Sequence, residues 1–218
     1  MRMRAASCRL IVFAKAPVPG EAKTRLIPAL GAQGAARLHA RLVTGAVATA
    51  CAAAPGKVEL WCAPDTQHAF FASCARRFGI ALHAQCGKDI GERMHHAMAH
   101  EASAAVVASI LIGSDIPDLS EDYLRDAMSA LMGHDAVFGP AEDGGYGLVG
   151  LQRPQPRLFA DMDWGGQGVM AETRARVRAL GLSCFELPCL WDLDRPGDLA
   201  RLDPALLADA LKDELLLR

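Results

Sequence analysis

Short apolar segments alternate with Ala-rich or amphipathic segments along nearly the whole chain, and this alternation limits the fold more than any other feature. Arg9 to Ala14 is a short apolar run that ends at a Pro/Gly-rich loop, and Ala105 to Ile112 is the most apolar run. Continuous apolar runs of this length are typical of strands that are buried on both faces of a sheet. Strands separated by helices favour a mostly parallel sheet that is covered by helices on both sides.

The same periodicity predicts the positions of the elements. Strands are predicted at 9–14, 58–62, 80–85, 105–112, 135–138, 146–151 and 184–187, and helices at 33–53, 65–78, 89–101, 120–131, 167–180 and from 198 onward. Asp65 and Ser120 are predicted to cap the helices that they begin. We therefore predict an α/β fold: a Rossmann-like three-layer α/β/α sandwich around a mostly parallel central sheet. No biased linker or internal repeat interrupts the 218 residues, so we expect one domain over residues 1–218.

Charge and cysteine content exclude several classes of protein. Lys and Arg number 23 against 25 Asp and Glu, and this balance argues against a nucleic-acid-binding protein that relies on bulk positive charge. The seven cysteines are irregularly spaced, without a C-x-x-C pair, which indicates free thiols rather than a disulfide framework or a zinc site. No apolar run approaches the ~20 residues of a membrane helix. We expect a cytoplasmic protein without a membrane span.

The signatures of several common enzyme classes are missing. There is no G-x-G-x-x-G after the first predicted strand, and neither G-x-S-x-G nor H-E-x-x-H occurs. Gly20 to Thr24 is similar to the end of a P-loop, but Pro17 and Ala22 stand where a P-loop needs glycine. His96 and His100 have the i, i+4 spacing of a metal clamp on a helix. With only two ligands, we favour an ordinary exposed helix face.

The loop that follows the first predicted strand, Lys15 to Leu26, carries the cations Lys15, Lys23 and Arg25. It contains two of the chain's five lysines, together with two prolines that stiffen it and a glycine that permits a turn. Lysine binds phosphate as a point charge, and arginine binds it as a two-pronged donor. We therefore favour a polyphosphate-binding loop over a solvated basic loop.

Acidic residues follow a strand and occupy a second segment near the C-terminal part of the chain. Asp115 follows the apolar run 105–112 after Gly113 and Ser114, and Asp192 and Asp194 project to the same side if their segment is extended. Carboxylates combined with substrate phosphates are the ligands that Mg²⁺ and Mn²⁺ prefer. We favour a metal-binding role for Asp115. For Asp192 and Asp194 the residues alone leave a metal site and a set of turn residues equally open, and Asp198 is predicted as a helix cap.

A Gly-rich turn between two predicted strands, Gly139 to Tyr146, contains the string Asp143-Gly144-Gly145. By itself such a string is a common hairpin signal. Because it lies at a strand end, it is also a candidate for binding a nucleotide or acceptor through backbone N–H groups.

Four of these segments together resemble the glycosyltransferase-A (GT-A) superfamily of nucleotide-diphosphosugar-transferase-like proteins. In chain order they are Lys15 to Leu26, Gly113 to Pro117, Gly139 to Leu151 and Asp192 to Leu199. They are especially similar to a bacterial branch of glycosyltransferase-like proteins of unknown function. A fifth string, Gln85 to Arg93, belongs to the same pattern, and the resemblance extends over roughly residues 8–203. The chain is more distantly similar to 2-phospholactate guanylyltransferases and molybdenum-cofactor nucleotidyltransferases.

The resemblance implies a GT-A transferase that uses Mg²⁺ or Mn²⁺, an activated nucleotide or nucleotide-sugar, and a small-molecule acceptor. It implies that Lys15, Lys23 and Arg25 are the catalytic cations that hold the phosphates. The metal ligands that it implies are Asp115, Asp192 and Asp194. The remaining motif positions would bind nucleotide or substrate, and they are Pro17, Gly20, Thr24, Gln85, Gly91, Arg93, Ser114, Asp143, Gly144, Gly145 and Tyr146.

The residues leave two reactions open. In nucleotidyl transfer an anionic substrate phosphate attacks a nucleoside triphosphate and needs no general base, which agrees with the absence of an obvious one. In glycosyl transfer a hydroxyl acceptor usually needs a carboxylate base, for which Glu142 and Asp143 are candidates. A non-catalytic nucleotide-binding module is the alternative from another class, and the carboxylates of Asp115, Asp192 and Asp194 argue against it. The sequence leaves open whether the protein is a homodimer.

Overall fold

The computed structural model describes residues 8–54, 56–100 and 108–212, and the predicted α/β architecture is confirmed there. The strands are β1 (Cys8–Lys15), β2 (Val58–Ala63), β3 (Ala81–Ala84), β4 (Ala108–Gly113), β5 (Ala136–Pro140), β6 (Tyr146–Leu151) and β7 (Cys184–Glu186). The helices are α1 (Ile27–Ala53), α2 (Ala69–Phe78), α3 (Ile90–Ala99), α4 (Glu121–Leu131), α5 (Pro156–Phe159), α6 (Val169–Ala179) and α7 (Pro204–Leu211). Two 3₁₀ helices span Thr24–Leu26 and Pro196–Arg201. The predicted strand start at 105–107 and helix end at 101 lie outside the described residues.

The seven strands form one sheet in the order β3-β2-β1-β4-β6-β5-β7. Strand β1 pairs in parallel with β2 and β4, β2 with β3, and β5 with β7. Strand β6 is antiparallel to its neighbours β4 and β5, which makes the sheet mostly parallel, as predicted. The carboxyl ends of the six parallel strands therefore meet at one edge, which is where ligands bind in sheets of this type.

Side chains alternate between the two faces of the sheet and supply two apolar cores. In β1, Leu10 and Val12 pack into one core with residues of α1, α2 and α4. Ile11 and Phe13 pack into the other core with residues of α3, α5 and α6. Because both faces are covered, the strand needs no polar residue at these positions, and this accounts for the continuous apolar run.

The starts of α1 and α2 differ from the sequence prediction by six and four residues. Helix α1 begins at Ile27 instead of residue 33, with a break at Gly31, whose φ of 68° lies in the left-handed region. Helix α2 begins at Ala69, because His68 rather than Asp65 caps it by accepting a hydrogen bond from the Phe70 N–H group. The short helix α5 has too few residues to show a helical period, and the sequence reading missed it.

Within residues 8–54, 56–100 and 108–212, no helix combines the length and the apolar character needed to cross a membrane.

Candidate functional site

A crevice of about 630 Å³ opens where β1, β2 and β4 end. Strand ends, the loops that follow them and the side of α1 form its walls. Five of the predicted site residues line this crevice together, namely Lys15, Gln85, Arg93, Ser114 and Asp115. These five residues therefore border one crevice, whereas no residue of the turn 139–146 is among those that line it.

The loop after β1 is shaped by its own hydrogen bonds. The carbonyl of Val18 accepts hydrogen bonds from the N–H groups of Glu21 and Ala22, both at 3.0 Å. Gly20 lies between Val18 and Glu21 and has a φ of 87°. Lys15 is exposed, and its Nζ donates to the Glu21 carbonyl at 2.9 Å. The backbone of this turn, which Pro17 precedes, therefore holds the Lys15 side chain at the crevice.

Lys23 points inward rather than toward the open crevice. Its backbone is left-handed, with a φ of 49°, and its side chain is only 5% exposed. Its Nζ lies 3.0 Å from Oδ1 of Asp115 and donates to the carbonyl of Leu193. The ammonium group is therefore committed to a carboxylate and to the segment beyond β7, and Thr24 begins the 3₁₀ helix next to it.

Asp115 presents one side of its carboxyl group to protein and the other to the crevice. Oδ1 is buried next to Lys23 and His39, whereas 47% of the side chain as a whole is exposed. The surrounding protein by itself raises the pKa, but the Lys23 ammonium and the His39 ring outweigh it and hold the pKa of Asp115 well below its usual range. An ionised carboxylate therefore borders the crevice at neutral pH.

The segment with the other two predicted metal ligands runs beside Asp115. The N–H group of Leu193 donates to the Asp115 carbonyl at 2.9 Å, and Asp194 pairs with the exposed Arg25. Burial raises the pKa of Asp192, and the negative charges of Asp143 and then Asp194 raise it further. These carboxylates therefore repel one another, which is the situation that a bound cation relieves.

The donors at this edge of the sheet fit a divalent cation in their chemistry, because carboxylate oxygens are what Mg²⁺ and Mn²⁺ prefer. In the part of the chain that the structure describes, no three or more His, Cys, Asp or Glu side chains are grouped so that they could hold a metal ion. Asp115 is paired with Lys23 and Asp194 with Arg25. The three-carboxylate site stays a prediction. The Lys23 pair involves only Oδ1 of Asp115 and leaves its other oxygen to the crevice, whereas Asp194 shares its carboxylate with Arg25.

The turn between β5 and β6 is a tight hairpin, as its Asp-Gly-Gly string indicates. The N–H group of Gly145 donates to Oδ1 of Asp143 at 2.8 Å. Gly144 has a φ of 90°, and a Cβ there would lie 2.1 Å from the Gln167 carbonyl oxygen. Gly144 is thus required by the turn and by its close packing, whereas the nearest atom to a Cβ at Gly145 would be Oδ1 of the Asp143 side chain, at 3.2 Å.

Of the two candidate bases in this turn, Glu142 forms a strong ion pair, whereas Asp143 has none with the residues that the structure describes. Glu142 accepts two hydrogen bonds from Arg201, at 2.7 and 2.9 Å. Asp143 is exposed and lies close enough to Asp192 to raise its pKa. Asp143 is therefore the better candidate for a general base.

In the string Gln85 to Arg93, one residue connects two strands and another lines the crevice. Nε2 of Gln85 donates to the carbonyls of Ala14 and Trp61, at 3.4 and 2.9 Å, and so ties the ends of β1 and β2 together. Arg93 lines the crevice and donates from Nε to the Gly87 carbonyl at 3.2 Å.

Two predicted binding residues have a packing reason to be what they are. A Cβ at Gly91 would lie 2.6 Å from the ring of Trp164, so only glycine fits beneath that ring. Tyr146 packs edge-on against Phe138 and Trp164, and burial raises the pKa of its phenol. Neither residue is among those that line the crevice.

Sequence reasoning gave His39 no role, although it borders the crevice from α1. Its Nε2 lies 2.9 Å from the Lys15 carbonyl oxygen, and its Nδ1 lies 3.6 Å from Oδ1 of Asp115. It belongs to no motif, and 24 residues separate it from Lys15 in the chain. The signal that points to it is a lone polar residue at a buried position of an Ala/Leu-rich helix.

Several solved structures share this architecture. A protein from Desulfovibrio desulfuricans G20 described as a nucleotide-diphospho-sugar transferase is 27% identical, with 94% of this chain and 98% of that chain covered and a TM-score of 0.77. The 4-diphosphocytidyl-2C-methyl-D-erythritol synthase of Anaerococcus prevotii DSM 20548 is 7% identical over 93% and 99% of the chains, with a TM-score of 0.59. Glucosyl-3-phosphoglycerate synthase of Mycobacterium tuberculosis, in complex with Mn²⁺, UDP and glucosyl-3-phosphoglycerate, is 13% identical over 93% and 76%, with a TM-score of 0.51.

These neighbours are transferases, and the fold is that of the nucleotide-diphospho-sugar transferases, as the GT-A resemblance predicts. A comparison with curated proteins gives no match. The model of the family DUF2064, described as an uncharacterized protein conserved in bacteria, matches residues 46–166, which is just over half of the chain. The chain therefore belongs to the DUF2064 family.

Proposed function

We propose that this protein is a transferase that binds an activated nucleotide and a divalent metal in the crevice at the carboxyl edge of its sheet. One observation carries the proposal: the ionised Asp115 borders the same crevice as the cationic side chains of Lys15 and Arg93. A carboxylate facing cations across a crevice is the arrangement that a metal–phosphate ligand needs, since it supplies the metal with oxygen and the phosphates with positive charge.

Each charged residue has a separate task in this proposal. Lys15 and Arg93 bind the phosphates, while the inward-facing Lys23 holds Asp115 in place. Asp115 and Asp192, with Asp194 or Asp143 beside them, would hold Mg²⁺ or Mn²⁺. When bound, the metal neutralises charge on the diphosphate that leaves. Arg25 becomes available to phosphate only when it gives up its ion pair with Asp194.

Nucleotidyl transfer is the reaction that we favour, because the Arg201 pair occupies Glu142 and a phosphate nucleophile needs no base. Glycosyl transfer is the second candidate, with Asp143 as its base. It is supported by the 27% identical neighbour, which is described as a nucleotide-diphospho-sugar transferase.

In either case we propose a small-molecule acceptor. We also propose a cytoplasmic location, with which the free state of all seven cysteines agrees.

Thermal shift with a panel of nucleoside triphosphates and nucleotide-sugars, each with and without Mg²⁺ or Mn²⁺, tests the proposal. We expect metal and nucleotide together to raise the melting temperature more than the sum of their separate effects. Asp115→Asn should remove this synergy, because a neutral amide is a poor metal ligand. A preference for triphosphates supports nucleotidyl transfer, and a preference for nucleotide-sugars supports glycosyl transfer.

Asp126→Asn is the matched control, since Asp126 is an exposed acid on α4 that is not among the crevice residues. It should keep the full synergy. If Asp115→Asn also keeps it, the metal assignment is wrong. If nucleotide binds equally well with and without metal, a non-catalytic nucleotide-binding module becomes the better interpretation.

A further inference from the structure

His39 is a polar side chain at a position where the helix otherwise buries apolar residues. Its neighbours Leu38 and Ala40 are 0% and 1% exposed, and His39 itself is 5% exposed. Burying an imidazole costs free energy unless its nitrogens are partnered, so apolar packing alone does not account for a histidine here. Its two polar neighbours, the Lys15 carbonyl oxygen and Oδ1 of Asp115, both belong to the candidate site.

The contact with Lys15 fixes which way the ring faces. A carbonyl oxygen only accepts, so Nε2 must carry the hydrogen that it donates at 2.9 Å. Nδ1 then faces Asp115 Oδ1 at 3.6 Å, which is too long for a hydrogen bond. The ring therefore encloses Oδ1 by contact and does not donate a hydrogen bond to it.

The position of the His39 ring determines which oxygen of Asp115 faces the crevice. Oδ1 is enclosed between the His39 ring and the Lys23 Nζ, and the exposed surface of the side chain comes from its remaining atoms. Without the ring, Oδ1 would have a gap beside it, and the carboxyl group could rotate away from the crevice. The hydrogen bond to the Lys15 carbonyl also joins the start of the cationic loop to the same unit.

We propose that His39 is a positioning residue that orients Asp115 for metal binding and couples it to the loop after β1. This proposal rests on the proposed function, because it gives His39 a purpose only if Asp115 holds a divalent metal. Residues that orient metal ligands typically contribute 10–100-fold to metal affinity. His39 should thus affect the affinity for metal far more than the stability of the fold.

The test is a titration of Mn²⁺, followed by electron paramagnetic resonance of the free ion, with no activity measurement. It is run with Mn²⁺ alone, with UTP and with UDP-glucose, which represent the two donor classes. His39→Leu keeps the volume and removes both polar contacts, so Mn²⁺ affinity should fall about tenfold or more. His39→Gln places an amide donor near the Nε2 position and should recover part of that loss.

His134→Leu is the matched control, because His134 also contacts a backbone carbonyl, that of Ala130 at 2.9 Å, but lies outside the crevice. It should keep the wild-type Mn²⁺ affinity. If His39→Leu and His39→Gln both keep wild-type affinity, the role of His39 is overturned while the proposed function stands. A drop in melting temperature without a drop in affinity also overturns it. If the wild-type protein binds no Mn²⁺ in any of the three conditions, the proposed function fails, and the role of His39 fails with it.

Discussion

At the scale of single residues, charged side chains in this protein are placed by partners that are distant in sequence. Asp115 could be predicted because it closely follows a buried strand, and Lys15 because it ends another. The inward direction of Lys23 could not be predicted, since it depends on a contact with Leu193, 170 positions away. The pairing that occupies Glu142 likewise depends on Arg201, in a 3₁₀ helix beyond the last strand.

Arg9 is a second charged residue whose role appears only in three dimensions. It was predicted as the first residue of an apolar strand, yet it is 6% exposed and pairs with Glu59 at 3.2 Å. It also donates to the carbonyl of Ala97 at 2.9 Å. Arg9→Met should cost about 3–5 kcal/mol of unfolding free energy in urea denaturation, because it removes the arginine charge from the mostly buried Glu59 carboxylate. That carboxylate then keeps a hydrogen bond from Trp61 Nε1, at 2.9 Å, but no arginine partner.

The control for this change is Arg125→Met, which removes an exposed pair with Glu121 and should cost less than about 1 kcal/mol. The double variant Arg9→Met with Glu59→Leu should recover much of the loss, because it leaves neither charge unpaired. If Arg9→Met is as mild as Arg125→Met, the pair does not stabilise the fold as described.

At the scale of elements, the sequence predicted the strands better than the ends of the helices. Strand positions follow from apolar runs and agree within a few residues, because burial on both faces leaves little choice of residue. Helix starts depend on the side chain that accepts the first free N–H group. That choice was predicted at Ser120, whose hydroxyl accepts from the Tyr123 N–H group, and was wrong at Asp65.

Packing between elements gives Gly91 a role that its motif position did not reveal. Gly91→Ala should destabilise the protein by about 1–3 kcal/mol, because the new Cβ overlaps the Trp164 ring and forces α3 away from the segment after α5. Gly45→Ala is the opposite case. Gly45 lies inside α1 with nothing within 4 Å of a new Cβ, so alanine should stabilise by about 0.5–1 kcal/mol.

Chemical denaturation of both variants, followed by circular dichroism, measures the difference in unfolding free energy. Both variants replace a helical glycine by alanine, so they gain the same helix propensity. The expected changes in unfolding free energy have opposite signs, and the difference between them therefore reports the packing at Gly91. Equal effects at the two positions would contradict the close approach of Trp164 to α3.

At the scale of the whole molecule, the apolar interior holds three thiols that resist ionisation. Burial raises the pKa of Cys8 and of Cys62 to about 12 and that of Cys74 to about 11, from an ordinary value of 9.0. A thiol with a raised pKa keeps its proton more tightly in the folded state, so its contribution to stability is complete below pH 9 and is lost as the pH rises toward 11 or 12.

We therefore expect the unfolding free energy to fall above pH 9, by about 1.4 kcal/mol per pH unit for each buried thiol. Denaturation with urea at a series of pH values measures the slope. Cys62→Ala should make the slope shallower, and the exposed Cys86→Ala should leave it unchanged. An unchanged slope in Cys62→Ala would show that its thiol ionises as freely in the folded protein as in the unfolded chain.

The contacts between the loop after β1 and the segment that follows β7 have a consequence for the order of folding. The Lys23–Leu193 and Arg25–Asp194 contacts join residues 170 and 169 positions apart, whereas strands β1 to β3 and their helices are close neighbours in sequence. Long-range contacts form late, because the chain must first lose the entropy of closing the loop. During refolding the sheet should therefore be recognisable by circular dichroism before the crevice can bind a ligand. The capacity to bind is the last property that the folding chain acquires.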